Sequence, residues 1–116
     1  MNEDRLSELS MDFAVQIILL VRKLTENREF IISRQIGRSA TSIGANIREA
    51  RYGSSRADFI QKLQIALKEA NETGYWLELL KRTDSITAQQ YSDLENTCRQ
   101  LRLLLISSIN TAKSNS

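Results

Sequence analysis

Five arginines between Ile31 and Arg56 are the residues of this sequence best suited to bind a charged ligand. They are Arg34, Arg38, Arg48, Arg51 and Arg56. The same segment contains a single acid, Glu49, whereas the whole chain has a formal net charge of only +2. The planar guanidinium group of arginine can hold a phosphate or a carboxylate through two hydrogen bonds, which lysine cannot. The segment therefore predicts an anion-binding surface.

The spacing of these arginines places most of them away from an apolar stripe. At about 100° per residue, one narrow stripe of a helix would consist of Ile32, Ile36, Ala40, Ile43, Ile47 and Ala50. Arg34, Arg38 and Arg48 point away from this stripe, and Arg51 lies at its edge. Because bare arginines on one side of a helix repel each other, we expect an anionic partner.

Two kinds of partner could supply the negative charge. In the first, the five arginines contact the phosphates of RNA or DNA. In the second, they pair with Glu69, Glu72 or Glu78, in the same or an adjacent subunit. Another acidic partner, or a mixture in which Arg38 and Arg48 are structural, is also compatible with the sequence.

Small residues dominate the run from Ser39 to Asn46, and Gly37 and Gly44 stand seven residues apart on nearly the same side. Glycine costs up to about 1 kcal/mol relative to alanine in a helix. Such a cost is explained if a second helix packs closely here, because small residues let its backbone approach. The alternative is a polar groove in which Ser42 and Asn46 donate hydrogen bonds to a ligand.

The sequence offers little for catalysis or metal binding. It has no histidine, which removes the commonest general base and the commonest transition-metal ligand. The bundle di-iron pattern Glu-x-x-His is therefore missing as well. We expect no enzyme activity, no metal and no cofactor, and we expect Cys98 to be a buried apolar residue.

Aromatic residues are few, and we interpret Tyr75 and Trp76 as core and interface anchors rather than base-stacking groups. Nucleic-acid binding would then depend on phosphate contacts and show little sequence preference.

The composition predicts an all-α fold. The chain of 116 residues has no proline and four glycines, whereas folds rich in strands need many turns. The N-terminal residues have no secretory signal, and the longest apolar runs, Ile17 to Val21 and Leu103 to Ile106, are too short to span a membrane. The expectation is a soluble cytoplasmic protein with no membrane partner.

Residues 1–116 are predicted to form one domain of four helices, at about 10–26, 31–52, 56–82 and 87–113. Ser10 is a plausible N-cap for the first helix, although Leu6 and Leu9 could extend it backwards. Ser55 with Asp58 approximates a capping box, and Thr87 with Gln90 forms a second one. Short connections make successive helices antiparallel, so we predict an up-down bundle.

The two apolar runs have more apolar residues than one bundle core can cover. Ile17 to Val21 and Leu103 to Ile106 are apolar around the whole helix. This excess is most simply buried against another subunit, which predicts a homo-oligomer.

Four blocks in the middle of the chain resemble a known family. They are RSATSIGANIREA (38–50), DFIQKL (58–63), IALKEANET (65–73) and YWLELL (75–80). The resemblance is to the small bacterial four-helix bundle proteins often encoded in intervening sequences of 23S ribosomal RNA genes. Gly37 and Ala40 depart from the family pattern, which has a larger apolar residue and a glycine at these positions.

The resemblance implies a ring-shaped homopentamer with a basic surface. It also implies a relation in fold to the accessory proteins of diversity-generating retroelements, which are thought to bind nucleic acid and a reverse transcriptase. We therefore predict a non-catalytic, oligomeric, nucleic-acid-binding bundle. The alternative is a protein–protein scaffold or reverse-transcriptase accessory protein whose arginines pair with carboxylates.

Overall fold

The computed structural model describes the backbone of residues 2–115 and the side chains of residues 5–115. The elements in this part of the chain are α1 (Asn2–Glu26), α2 (Ile31–Arg51), α3 (Arg56–Arg82) and α4 (Ala88–Ser114). The prediction of an all-α fold is confirmed.

The helices form an elongated four-helix bundle with principal dimensions of 47 × 21 × 19 Å. Each helix packs against the next one in the chain, and α4 closes the bundle against α1. The diagonal pairs, α1 with α3 and α2 with α4, lie farther apart, with no Cα atoms within 8 Å of each other among the described residues. Because the connections are short, neighbouring helices run in opposite directions, as predicted.

The polar residues predicted to start α3 and α4 cap these helices. Thr87 and Gln90 form a complete capping box, with each side chain accepting from the other residue's backbone amide. The Ser55 hydroxyl accepts from the amide of Asp58 at 3.1 Å. The Asp58 carboxylate accepts instead from the Ser54 amide, at 3.3 Å, so this second box is only partly formed. These bonds satisfy amide groups that a helix start leaves without partners.

The start of α1 corrects one prediction. The helix begins at Asn2, so Ser10 is not its N-cap. Ser10 is buried inside the helix, and its hydroxyl donates to the carbonyl of Ser7 at 3.1 Å. Leu6 is 1% exposed, so the apolar stripe continues about one turn before Ser10 and stabilises the longer helix. The other three helices agree with the predicted boundaries to within one residue.

The core is almost entirely apolar and is supplied by all four helices. The predicted stripe of α2 is buried throughout. On α3, the predicted positions from Leu63 to Leu80 are buried, whereas Phe59 is only half-buried. The buried hydroxyls of Ser39 and Thr73 lie 2.8 Å apart across the α2–α3 interface and bond to each other. This pair satisfies two polar groups that burial would otherwise penalise.

Large apolar side chains also lie outside the core. On α1 these are Met11, Val15, Ile18 and Leu19, and on α4 they are Leu103 and Ile106. At 100° per residue the four α1 side chains are on the side of the helix opposite its buried stripe. Both apolar runs therefore carry residues that the bundle itself does not cover.

None of the helices within residues 2–115 combines the length and hydropathy needed to cross a bilayer.

Candidate nucleic-acid interface

The five arginines occupy three different places along the length of the bundle. Arg34 lies in the first turn of α2, Arg38 one turn later, and Arg48 and Arg51 in the last turn, whereas Arg56 begins α3. At 1.5 Å per residue, Arg34 and Arg48 are separated by about 21 Å along the helix axis. Within one subunit the arginines therefore do not form a single patch.

Arg38 is held by carboxylates of α3 in the same subunit. Its Nη1 atom lies 3.3 and 3.2 Å from the two carboxylate oxygens of Glu69, and its Nη2 atom contacts Glu72. The hydrogen bond to Glu72 is the main cause that raises the pKa of Arg38 above its ordinary value. The carboxylate-pairing hypothesis is thus confirmed for Arg38.

The Glu72 carboxylate has a second donor. The Nε1 atom of Trp76 donates to it at 3.0 Å, and this bond, followed by the one from Arg38, lowers the pKa of Glu72. Glu78, the third carboxylate considered for the arginines, pairs instead with Arg82 one turn later, at 2.6 Å.

Arg34 and Arg48 are exposed, and their side chains make no hydrogen bond or ion pair with any part of the chain that the structure describes. Arg48 borders a groove between α1 and α2 that is lined mainly by small and apolar side chains, including Met11, Ala14 and Ala45. Its neighbour Glu49 is engaged by Lys62, with the Nζ atom 3.2 Å from Oε1. The guanidinium of Arg48 is therefore available to an external anion.

Arg51 and Arg56 are exposed, and each is anchored to another helix. The Nη1 atom of Arg51 donates to the hydroxyl of Ser7 at 3.2 Å. The Nη1 atom of Arg56 donates to the carbonyl of Ala112 at 3.3 Å, near the C-terminus of α4, where the helix dipole favours a cation.

Arg48, Arg51 and Arg56 thus lie at the same end of the bundle, where α2 ends and α3 begins. We call this region the basic end. Lys113, in the last turn of α4, lies at the same end. Three guanidinium groups close in the chain and on the exposed surface can contact several phosphates of one ligand.

The small residues of α2 let α1 approach closely. A Cβ atom at Gly44 would lie 3.3 Å from the Ser10 hydroxyl, which is tighter than ordinary contact. Asn46 donates to the carbonyl and hydroxyl of Ser42, and Ser42 donates to Glu69 at 3.2 Å. Since these polar groups bond within the bundle, the arrangement agrees with close packing and not with a free polar groove.

Within residues 2–115, no three acidic, cysteine or histidine side chains are grouped as metal ligands would be. Cys98 is fully buried, as predicted. Burial raises the pKa of its thiol to about 11, and the thiol donates to the carbonyl of Ala70 at 3.3 Å. The thiolate, which is the reactive form, is therefore scarce at neutral pH.

Two tyrosines, Tyr52 and Tyr75, are exposed. Tyr75 is 61% exposed, so it does not anchor the core, and its role as an interface anchor stays a prediction. Its neighbour Trp76 is half-buried against the core. Tyr52, which the sequence patterns did not single out, is 85% exposed at the basic end. The signal that could have indicated Tyr52 is its position directly before Gly53, at the helix stop.

Comparison of the sequence and the structure with known proteins identifies a family that this chain matches. The family model described as 23S rRNA-intervening sequence protein matches residues 3–107. A crystal structure of a protein of unknown function from the S23 ribosomal protein family of Bacteroides thetaiotaomicron superposes with a TM-score of 0.93 at 55% sequence identity. The match covers 95% of this chain and 99% of that protein. Among curated proteins, none matches this chain.

Proposed function

Since this chain belongs to the 23S rRNA-intervening sequence protein family, we propose that it is a non-catalytic, self-associating bundle that binds the phosphates of RNA or DNA through its basic end. The observation that carries this proposal is the cluster of Arg48, Arg51 and Arg56 at the junction of α2 and α3. Glu49, which follows Arg48 in the chain, pairs with Lys62. Arg48 therefore has no ion-pair partner among the described residues.

The proposal divides the five candidate arginines by role. Arg48, Arg51 and Arg56 contact phosphates at the basic end. Arg38 stabilises the α2–α3 interface, because two carboxylates of α3 already hold its guanidinium. Arg34 is exposed about 21 Å away from Arg48 along the helix and is not part of the same contact.

Self-association is supported by the uncovered apolar side chains of α1. Met11, Val15 and Leu19 are each at least half exposed on one side of the helix. Contiguous apolar residues of this kind are typical of a protein–protein interface. The resemblance to the family implies a ring of five copies. A closed ring would repeat the basic end around one axis and strengthen the attraction for a polyanion.

The binding part of the proposal is tested by fluorescence anisotropy with labelled duplex and single-stranded oligonucleotides at several salt concentrations. Phosphate binding predicts affinity that falls steeply as salt rises. The double variant Arg48→Ala/Arg56→Ala should bind more weakly and reduce the salt slope by about 1 for each phosphate that is no longer neutralised. Circular dichroism checks that removal of the bond from Arg56 to Ala112 leaves the helices intact.

A matched control removes the same charge from the other end of the bundle. Arg34 and Arg82 are both exposed there, and Arg34→Ala/Arg82→Ala should retain most of the binding. An equal loss of affinity in both double variants would mean that net charge, and not the basic end, determines affinity. If the variant at the basic end binds every oligonucleotide as well as the wild type, the nucleic-acid proposal is wrong.

The second candidate function is a protein–protein scaffold, for example a reverse-transcriptase accessory protein. The pairing of Arg38 with Glu69 and Glu72 favours it, because carboxylates can evidently satisfy an arginine of this set. In that case nucleic acid would not bind at low salt, and the same arginines would face an acidic protein.

A further inference from the structure

We propose that Tyr52 is a base-stacking platform at the basic end, and that the preferred ligand is therefore a single-stranded nucleic acid with unpaired bases. This inference rests on the proposed phosphate binding and adds the class of nucleic acid. It comes from the exposure of Tyr52, the hydrogen-bonded turn that carries it and the arginines on both sides of it.

The ring of Tyr52 is open to solvent. Its side chain is 85% exposed, more than Tyr75 at 61%. Tyr75 also contacts the ring of Trp76, with centroids 5.0 Å apart, and the ring of Tyr91 lies beneath the ammonium group of Lys81. Within residues 5–115, no other ring or cation covers Tyr52. Any nucleobase can stack on a free aromatic face, whatever its sequence identity.

The backbone beneath this ring is well ordered by hydrogen bonds. The amide of Tyr52 donates to the carbonyl of Glu49, and the amide of Gly53 donates to the carbonyl of Ala50, both at 3.1 Å. A Cβ atom at Gly53 would lie 2.9 Å from a carboxylate oxygen of Asp58, so this turn is tightly packed. These hydrogen bonds restrict the backbone of the turn, so less backbone entropy remains to be lost on binding.

Arginines stand on both sides of Tyr52. Arg51 precedes it directly, Arg48 lies one helical turn earlier, and Arg56 begins the next helix. A nucleotide stacked on Tyr52 would therefore have cationic groups close to the phosphates that flank its base. An exposed aromatic beside a basic groove is the arrangement typical of single-strand binding. A duplex keeps its bases stacked inside, so it would gain only the phosphate contacts.

The test compares three ligands of one sequence by fluorescence anisotropy at low salt. These are a single strand, its duplex, and a single strand of abasic sites that keeps the phosphates and removes the bases. Wild-type protein should bind the intact single strand most tightly. Tyr52→Ala should weaken that binding about tenfold and leave duplex and abasic binding unchanged. Tyr52→Phe should bind like the wild type, because the ring is retained.

Tyr75→Ala is the matched control, since it removes an exposed tyrosine from the C-terminal third of α3, away from the basic end, and should change none of the affinities. Each ligand is prepared as RNA and as DNA, and a tyrosine-dependent preference for the intact single strand in either form supports the inference. Circular dichroism confirms that each variant is folded.

Two results would overturn the stacking role and leave phosphate binding in place. One is unchanged single-strand affinity in Tyr52→Ala, and the other is equal affinity of the wild type for the intact and abasic strands. If the wild type binds none of the oligonucleotides at low salt, both the stacking role and the proposed function are wrong.

Discussion

The Nη1 atom of Arg38 lies 3.2 Å from the Oε2 atom of Glu69 and joins α2 to α3 at the middle of the bundle. The same guanidinium contacts Glu72, and the Ser42 hydroxyl donates to Glu69. Arg38 is therefore paired with carboxylates of its own chain, although its residue type and its position would suit phosphate binding equally well. All five candidate arginines are exposed to solvent, and Arg38 differs from Arg34 and Arg48 in having carboxylate partners among the described residues.

The ion pair between Arg38 and Glu69 should make a small contribution to stability. The Arg38 side chain is 50% exposed, so solvent screens the interaction. A double-mutant cycle with Arg38→Ala and Glu69→Gln should give a coupling free energy of about 0.5 kcal/mol in urea denaturation. A coupling of zero would mean that the pair contributes nothing to stability. High salt should reduce the coupling.

The stability of the protein should depend on the ionisation of Glu72. The bond from Trp76, and then Arg38, lowers the pKa of this carboxyl below its ordinary value of 4.5. Since the folded state favours the charged form, the contribution is complete above about pH 4.5 and is lost as the pH falls from there through the lower folded pKa. Trp76→Phe removes one donor, so its stability should depend less on pH in this acidic range.

Urea denaturation followed by circular dichroism between about pH 6 and pH 3 measures this dependence. The control is Trp76→Phe in a Glu72→Gln background, where the substitution should no longer change the pH dependence. An identical pH dependence in Trp76→Phe and wild type would contradict the assigned role of the Trp76 bond.

Gly37→Ala should stabilise the protein by about 0.5–1 kcal/mol. A Cβ atom at Gly37 would lie 3.5 Å from a methyl group of Val21, which is ordinary van der Waals contact. Alanine therefore gains helix propensity at this position without a steric cost. Thermal unfolding should show a higher Tm, and a lower Tm would indicate that α1 and α2 lie too close together at Gly37 to admit a methyl group.

Gly53→Ala is expected to have the opposite effect. Its Cβ atom would meet a carboxylate oxygen of Asp58 at 2.9 Å and the carbonyl oxygen of Ala50 at 3.2 Å. The backbone carbonyl cannot move without disturbing the end of α2, so the variant should have a lower Tm than the wild type. An unchanged Tm would show that this turn relaxes easily.

Charged substitutions on the outer side of α1 should disrupt self-association. Val15 and Leu19 are 51% and 57% exposed, so Val15→Glu/Leu19→Glu should fold normally but form a smaller particle in light scattering. Ile31→Glu is the matched control, because Ile31 is 78% exposed at the start of α2 and lies away from this surface. A wild-type protein that is monomeric at all concentrations would contradict the proposed assembly.

Most of the fold could be predicted from local patterns. A 3.6-residue apolar period, the lack of proline and the pairs Ser55–Asp58 and Thr87–Gln90 act within a few residues, so the sequence displays them directly. The wrong prediction for the start of α1 also came from a local pattern. Ser10 is a good capping residue by type, but burial of Leu6 favours continuing the helix past it.

The candidate site depended on tertiary structure. Charge and helical spacing are local properties, so the sequence alone indicated arginines on the outer side of α2 and Glu69 and Glu72 as alternatives to phosphate. Which arginine meets which carboxylate depends on how α2 and α3 are aligned, and this alignment is set by packing between residues about thirty positions apart. The exposure of Tyr52 likewise depends on how the chain passes from α2 to α3, because a tyrosine can be either buried or exposed.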